Sequence, residues 1–245
     1  METFNAKAAR AAAKIYMKFN KKSAISRRAE LPESFTVTCH AGAMFTPPNS
    51  VYSVKTAVGW GAKVVEFDVS FRPDGSPVII HAATPGNSDG IPLESALEAV
   101  AESPDCKINL DLKSTANLAA VDELVKLNGL CERVFYTGVS REWVEAVRNS
   151  SEIPYYLNYE ITAEDASDKE SARLAAESAK SLGAIGINSN FRGASSLFVE
   201  AAHESGLLVS LWTVNSPKDM IRVLKMKPDN ITTKRPNILM KMIEG

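Results

Sequence analysis

Apolar and polar positions follow two alternating patterns along most of the chain. From Phe35 onward, short apolar runs rich in Val, Ile and Tyr, typical of buried strands, alternate with segments whose apolar residues recur at helical spacing. The runs predict eight strands, at Thr36–His40, Lys63–Val69, Ile108–Leu112, Arg133–Thr137, Pro154–Asn158, Ala184–Asn188, Leu208–Thr213 and Asn230–Thr232. Helical spacing is clearest at Asn117–Leu127, Arg141–Arg148, Glu170–Leu182, Ser195–Ser205 and Pro217–Met226.

This alternation predicts a parallel sheet whose strands are connected by helices. Eight such units within about 210 residues are typical of a (β/α)8 barrel, or TIM barrel, and we expect this α/β fold for residues 35–245. A doubly wound open sheet is the alternative. Its dinucleotide-binding form requires the motif GxGxxG after the first strand, and His40-Ala41-Gly42-Ala43 does not supply it.

One apolar run interrupts the alternation. Val78–His81 follows the second strand too closely for a helical connection, so we expect it to pair antiparallel with that strand. Asp74-Gly75 is a favoured pair for a two-residue hairpin turn, and such a turn places His81 opposite Asp68. The hairpin therefore predicts an imidazole beside a carboxylate near the mouth of the barrel.

Residues 1–34 precede the predicted barrel and are strongly basic. Among residues 1–30, eight side chains are basic and two are acidic, which gives a net charge of +6, whereas the rest of the chain carries −7. Apolar residues recur at steps of three and four beside a stripe of Lys and Arg, which predicts a basic amphipathic N-terminal helix followed by a linker. We prefer a helix that lies across the acidic body of the same protein; attachment to an anionic membrane surface is the alternative.

The composition narrows the class of protein. With 45% hydrophobic and 23% charged residues the chain is typical of globular proteins, and its formal net charge of −1 argues against a globally basic nucleic-acid-binding protein. No apolar stretch approaches the roughly 18 residues that a membrane span requires. Cys39, Cys106 and Cys131 form no CxxC pair, which favours reduced thiols and a cytoplasmic protein, with peripheral membrane contact through residues 1–30 as an option.

Ionisable side chains collect at the predicted carboxyl ends of the first strands, where TIM-barrel active sites form. Glu66 and Asp68 are two residues apart on one strand and therefore point to the same face. The other candidates at these strand ends are His40, His81, Asp111 and Lys113.

The three carboxylates predict a cation site. Two carboxylates about 4 Å apart repel by roughly 4 kcal/mol at an effective dielectric constant near 20, and Asp111 increases this repulsion. The cluster should therefore take up protons or bind a cation, and three hard oxygen ligands favour Mg²⁺ or Ca²⁺ over zinc. His40 and His81 beside such a site would supply a general acid and a general base.

Six motifs occur in a fixed order along the chain. They are His40-Ala41-Gly42, Pro48-Asn49-Ser50, Gly61-Ala62-x-x-x-Glu66-Phe67-Asp68-Val69, Asp74-Gly75-x-Pro77-Val78-Ile79-Ile80-His81, Asn109-Leu110-Asp111-Leu112-Lys113 and Trp212-Thr213-Val214-Asn215. Over about residues 35–240 this set resembles the glycerophosphodiester phosphodiesterases, a family of phospholipase-C-like phosphodiesterase TIM barrels.

The resemblance implies metal-dependent hydrolysis of a glycerophosphodiester to an alcohol and glycerol 3-phosphate, with one divalent cation, Mg²⁺ or Ca²⁺. It implies three sets of site residues: the metal ligands Glu66, Asp68 and Asp111, the catalytic acid and base His40 and His81, and the substrate-binding Lys113 and Trp212.

Several positions depart from the usual pattern of that family. Ala41 stands in place of an arginine, Pro48 in place of a glutamate, and Asp111 in place of a longer glutamate ligand. Lys234 stands where relatives tend to have an acid; we interpret it as a solvated charge, with a phosphate-attracting rim as the alternative. The helical insertion that usually follows His81 is largely absent, which predicts a short family member with an open mouth that admits a larger substrate, such as a lysophospholipid or a glycerophosphate-containing polymer.

Two other functions remain open at this point. A barrel that binds metal and a phosphorylated ligand without turnover accounts for the missing arginine and the missing cover. A related phospholipase of the same barrel superfamily, acting on sphingolipid or inositol lipid, fits the same motifs. The retention of two imidazoles and three carboxylates favours an active diester hydrolase.

Overall fold

The computed structural model describes residues 30–244. The strands in chain order are β1 (Thr36–Cys39), β2 (Val64–Phe71), β3 (Pro77–Ile79), β4 (Ile91–Pro92), β5 (Lys107–Leu112), β6 (Val134–Val139), β7 (Tyr155–Asn158), β8 (Gly186–Asn190), β9 (Leu208–Trp212) and β10 (Asn230–Thr233). The α-helices are α1 (Val51–Gly59), α2 (Leu93–Ala101), α3 (Leu118–Leu127), α4 (Val144–Ser150), α5 (Lys169–Ser181), α6 (Ser196–Glu204), α7 (Pro217–Leu224) and α8 (Pro236–Glu244). The helix predicted within residues 1–34 precedes the described residues and stays a prediction, as does a domain boundary there.

Eight of the strands form a closed parallel barrel. They are paired in the order β1, β2, β5, β6, β7, β8, β9 and β10, and β10 pairs again with β1. Every residue of β2 is buried, because helices cover the outer face of the barrel while the inner face is enclosed. The predicted TIM barrel is confirmed.

Strands β2 and β3 form the predicted antiparallel hairpin, but its register is one residue from the predicted one. Val69 pairs with Ile79, not with Ile80, and His81 is not directly opposite Asp68. The turn has three residues, 73–75, and ends on Gly75 in the left-handed region with φ 83°. Pro73, whose ring fixes φ, suits the first position of such a longer turn, which the prediction from Asp-Gly alone overlooked.

Three helices were not predicted from the sequence. Helix α1 begins after Ser50, whose side-chain oxygen accepts a hydrogen bond from the backbone N–H of Ser53. Helix α2 follows Pro92 and has no side-chain cap, and α8 ends the described chain. Each has only nine residues, so its apolar periodicity is short.

Inward-facing strand residues are largely polar, whereas outward-facing ones form the apolar layer beneath the helices. Asn230 donates hydrogen bonds to the hydroxyls of Thr36 and Thr38 and accepts one from Ser210, all inside the barrel. The apolar layer includes Val65, Phe67, Ile108, Leu110, Ile187, Val209 and Ile231. The fold thus keeps its hydrophobic packing outside the sheet and leaves a polar interior that opens at one end.

All three cysteines are free, and burial, followed by the charge of Cys106, raises the pKa of the Cys39 thiol to about 12, so Cys39 is no nucleophile. Between residues 30 and 244, no helix has the length and apolar character that crossing a membrane requires.

Candidate active site

A cavity of about 330 Å³ opens at the carboxyl ends of the barrel strands. All seven predicted site residues line it, together with several residues that the sequence analysis did not single out. The lining residues are His40, Glu66, Asp68, His81, Asn109, Asp111, Leu112, Lys113, Thr137, Gly138, Asn158, Asn188, Trp212, Thr213 and Thr232.

Three carboxylates meet at the floor of this cavity. Glu66 and Asp68 project inward from β2, and the parallel register pairs Asp68 directly with Asp111 of β5. One oxygen of each carboxylate lies within 4.8 Å of the others. Glu66 and Asp68 are buried, so their charges are poorly screened by water.

The pKa values in this cluster are displaced in opposite directions. Burial, then the charges of Asp111 and Asp68, raise the pKa of Glu66 well above its usual value. Burial also acts to raise the pKa of Asp68, but the hydrogen bond from Asn49 and the ammonium of Lys113 outweigh it and the pKa is lowered. Glu66 is therefore the carboxylate that holds a proton unless a further cation is bound.

Among residues 30–244, Lys113 is the only lysine or arginine that forms an ion pair with the carboxylate cluster. Its Nζ lies 2.9 Å from Asp68 Oδ1 and also contacts Asp111 Oδ2. Although burial acts to lower the pKa of Lys113, the two carboxylates raise it, so the ammonium stays charged.

The residues fit a divalent cation. Three carboxylates and one ammonium leave two negative charges unbalanced, and hard oxygen donors at this spacing suit Mg²⁺ or Ca²⁺. The raised pKa of Glu66 reports the same imbalance, since a proton is the alternative to a metal ion. Glu66, Asp68 and Asp111 are the residues that would hold the ion.

His40 lies at the end of β1 and is mostly buried. Its Nδ1–H donates to the carbonyl of Ala41 at 2.9 Å, which leaves Nε2 with a free lone pair. Burial lowers the pKa of His40, despite the opposing effect of that hydrogen bond, so the ring is neutral near pH 7. The backbone N–H of Ala41 donates to Glu66 Oε2 at 2.7 Å, which links the position of His40 to the carboxylate cluster.

His81 follows the hairpin and lies at the open side of the cavity. Its Nδ1–H donates to Asp68 Oδ2 at 3.1 Å, and 81% of the side chain is exposed. The predicted imidazole–carboxylate pair is present although the predicted register is wrong, because Ile80 N–H still bonds to Asp68 O and keeps the strands adjacent there.

Neighbouring residues hold the carboxylates in place. Asn49 donates from Nδ2 to Asp68 Oδ2 at 2.6 Å and accepts from the Asp68 backbone N–H at 3.0 Å, with its own backbone in the left-handed region at φ 50°. The hydroxyl of Thr137 lies 2.6 Å from Asp111 Oδ1. Gly138 has φ 76°, and a Cβ there would collide with the carbonyl of Leu112, so a side chain at this position would disturb the site.

The neutral polar residues of the cavity were not predicted from the strand ends. Asn109 lies two residues before Asp111, so the same alternation that linked Glu66 to Asp68 could have identified it. Asn188 donates to Asn158 Oδ1 at 2.8 Å across neighbouring strands. Asn158 and Asn188 are uncharged and lie in none of the six motifs, so neither the ionisable residues nor the motifs indicated them.

Comparisons with known proteins agree with this geometry. The sequence model of the glycerophosphoryl diester phosphodiesterase family matches residues 86–238. The match includes Asp111, Lys113 and Trp212, whereas His40, Glu66, Asp68 and His81 precede it and are located by the fold. A search of curated protein sequences returns no significant match.

Solved structures with the same barrel come from several organisms. A phosphodiesterase of Oleispira antarctica, in complex with the product sn-glycerol-3-phosphate, has a TM-score of 0.70 and 20% identity, covering 89% of this chain and 99% of that one. A glycerophosphodiester phosphodiesterase of Parabacteroides distasonis has a TM-score of 0.67 and 22% identity, covering 86% of this chain and 97% of that one. The glycerophosphodiester phosphodiesterase of Thermotoga maritima has a TM-score of 0.62 and 19% identity, covering 85% of this chain and 98% of that one.

At these identities the structural likeness supports the fold, and the family follows from the sequence match over more than half of the chain. The chain belongs to the glycerophosphodiester phosphodiesterase family and is an enzyme of that type, a phosphoric diester hydrolase.

Proposed function

We propose that the protein hydrolyses a glycerophosphodiester to an alcohol and sn-glycerol 3-phosphate, using one divalent cation and two histidines. The observation that carries the proposal is the convergence of Glu66, Asp68, Asp111, His40 and His81 in one cavity at the carboxyl ends of the strands. The sn-glycerol-3-phosphate bound to the Oleispira antarctica phosphodiesterase supports the choice of phosphate-bearing product.

His40 is the general base in this proposal. Its Nδ1–H is held by the carbonyl of Ala41 and its pKa is lowered, so Nε2 of a neutral ring accepts the proton of the attacking hydroxyl. The attacking oxygen forms a new bond to phosphorus. It comes from water, or from a neighbouring hydroxyl of the substrate, in which case a cyclic phosphate forms first and water then opens it to glycerol 3-phosphate.

His81 is the general acid. The bond between phosphorus and the alcohol oxygen breaks, and the departing oxygen receives a proton from His81. Asp68 accepts the Nδ1–H bond and fixes the orientation of the ring, so the opposite nitrogen carries the transferred proton. Lys113, already balanced between Asp68 and Asp111, contacts a phosphate oxygen, and Trp212 forms a wall of the pocket.

Glu66, Asp68 and Asp111 hold the cation. When bound, Mg²⁺ or Ca²⁺ polarises the phosphoryl oxygens and neutralises part of their charge. Asn49 and Thr137 keep two of these carboxylates in position through the hydrogen bonds described above.

The mouth of the cavity supports a substrate larger than a simple diester. The connection between β3 and β4, residues 80–90, contains no helix and is exposed except at Ile80, Pro85 and Gly90. Phe45, in the neighbouring connection between β1 and α1, and Tyr52, in the first turn of α1, are 51% and 66% exposed. These apolar surfaces can contact the acyl chain of a lysophospholipid, and membrane contact through residues 1–30 of a cytoplasmic protein belongs to the same proposal.

A substrate panel tests the function. Purified protein is incubated with glycerophosphocholine, lysophosphatidylcholine and an inositol lipid, each with Mg²⁺, Ca²⁺ or a chelator, and glycerol 3-phosphate or the alcohol is quantified. We expect metal-dependent release from a glycerophosphodiester, and none after chelation. Binding without turnover of every substrate would instead identify a binding protein, and turnover of the inositol lipid alone a phospholipase.

A double variant tests the substrate size separately. Replacing Phe45 and Tyr52 by serine should raise KM for lysophosphatidylcholine and leave KM for glycerophosphocholine unchanged, because only the lipid reaches the rim. Equal effects on both substrates would contradict the proposed acyl contact.

A further inference from the structure

Lys234 lies at the rim of the barrel beside His40. The register pairs Cys39 of β1 with Thr233 of β10, and the His40 N–H donates to the carbonyl of Thr233 at 3.1 Å. His40 and Lys234 are therefore the next residues on two adjacent strand ends. Thr232, two residues before Lys234, lines the cavity, and Lys234 follows the end of β10 at the rim of that cavity without itself lining it.

The main chain of Lys234 is fixed, while its side chain is free of carboxylate partners. The Lys234 N–H donates to Asn215 Oδ1 at 2.8 Å, and its carbonyl accepts from the Met44 N–H at 2.9 Å. The side chain is exposed, and within residues 30–244 it forms no ion pair. After burial, the charge of Lys234 is a further influence that lowers the pKa of His40, which agrees with its position at the cavity.

The charges of the site leave a place for such a cation. Glu66, Asp68 and Asp111 are balanced by Lys113 and one divalent ion, so a phosphodiester brings an uncompensated negative charge. Lys113 is already engaged by two carboxylates. Ala41, beside His40, contributes no charge: its backbone N–H donates to Glu66 and its carbonyl accepts from His40. Lys234 is the neighbour of His40 whose positive charge is unused.

We propose that Lys234 binds the phosphate of the substrate and the product at the rim of the cavity. The inference rests on the proposed function, because it takes a phosphate ester as the ligand. It chooses the phosphate-attracting rim, the alternative to the solvated charge that we preferred from the sequence. Because the Lys234 ammonium forms no ion pair with the three carboxylates, it attracts an anion without neutralising the metal ligands.

A charge series at position 234 tests this binding role. The full chain, loaded with Mg²⁺ or Ca²⁺, is titrated with sn-glycerol 3-phosphate by calorimetry as wild type, Lys234→Arg, Lys234→Met and Lys234→Glu. Loss of one charge-assisted hydrogen bond should weaken binding about tenfold in Lys234→Met. Lys234→Glu should weaken it further because of repulsion, and Lys234→Arg should restore most of the affinity.

A matched lysine controls for general charge effects. Lys225 is exposed and follows α7, at the opposite end of the barrel, and it too has no ion pair among residues 30–244. Lys225→Met should bind glycerol 3-phosphate like the wild type. In the variants of Lys234, KM for the diester should rise while kcat changes little, and added salt should weaken wild-type binding more than Lys234→Met binding.

The outcomes separate this inference from the proposed function. A flat charge series, an equal loss in Lys225→Met, or no binding of glycerol 3-phosphate by the wild type would overturn the role of Lys234. A graded series in a protein that hydrolyses no diester would support Lys234 and reject the proposed function. Turnover of a diester together with a flat charge series would support the proposed function and reject the role of Lys234. Melting temperatures identify any variant that fails to fold.

Discussion

Two histidine–aspartate pairs occupy opposite regions of the barrel and differ in what surrounds the aspartate. At the mouth, His81 donates to Asp68 at 3.1 Å, and on the outside, His203 of α6 lies 2.7 Å from Asp229. The His81 side chain is 81% exposed, whereas the His203 side chain is only 35% exposed.

Asp229 is fully occupied by structural partners. Its oxygens accept hydrogen bonds from the Val209 N–H and the Ser34 hydroxyl as well as from His203, so it ties a helix, a strand and the N-terminal connection together. Asp68 shares its oxygens with an ammonium and lies beside two further carboxylates. The same contact is structural where the charges balance, and available for chemistry where they do not.

The largest expected effect is on turnover, from the histidines of the mouth. His40→Ala and His81→Ala should each lower kcat by roughly 10²- to 10⁴-fold, because each removes a proton-transfer group. Their melting temperatures should stay close to that of the wild type. Steady-state kinetics and thermal unfolding on the same samples check this, and an unchanged kcat would remove that histidine from the mechanism.

A smaller effect is expected on metal affinity, through Asn49. Asn49→Ala removes the two hydrogen bonds that orient Asp68 and should weaken Mg²⁺ or Ca²⁺ binding roughly 10- to 100-fold. Asn128→Ala is the control, since the Asn128 side chain donates to the carbonyl of Leu124 at the end of α3. Calorimetric metal titration that shows the same affinity for both variants would contradict the role of Asn49.

The pair of His203 and Asp229 should affect the stability of the fold without affecting turnover. His203→Gln replaces a charge-assisted hydrogen bond to buried Asp229 by a neutral one and should lower the free energy of unfolding by roughly 1–2 kcal/mol. That corresponds to a fall in Tm of about 2–8 °C for a chain of this size. Chemical denaturation checks it, and a loss of kcat in this variant would mean that the two regions are not independent.

The smallest effect is the pH dependence of that stabilisation. The hydrogen bond to Asp229 raises the pKa of His203, so its contribution is complete below the ordinary value of 6.5 and is lost as pH rises through the higher folded value. Burial acts to raise the pKa of Asp229, but its hydrogen bonds lower it, so its contribution is present above 3.8 and is lost as pH falls. The Tm difference between wild type and His203→Gln should therefore be larger at pH 5.5 than at pH 9, and equal differences would contradict this account.

The barrel and its charged residues followed from the sequence because they depend on short-range alternation. Glu66 and Asp68 share a face by spacing alone, and the parallel register then brings Asp111 beside them. The pairing of His81 with Asp68 was also expected, although the turn has one residue more than predicted.

Other features depend on contacts that spacing does not specify. The role of Asn49 requires a left-handed backbone in the connection after β1, and the interior amides Asn158 and Asn188 meet only when β7 and β8 pair. The significance of Lys234 depends on the closure of the barrel, which places β10 beside β1. Sequence reasoning found the ionisable groups, and the three-dimensional fold supplied their supporting residues.

The most direct test of the central account compares the two aspartates by metal titration. Metal-free wild type, Asp68→Asn and Asp229→Asn are each titrated with Mg²⁺ and Ca²⁺ and assayed for diester hydrolysis. We expect one ion per chain in the wild type and in Asp229→Asn, and loss of both the ion and the activity in Asp68→Asn. Undiminished metal binding by Asp68→Asn, or full turnover by wild type after chelation, would contradict the account.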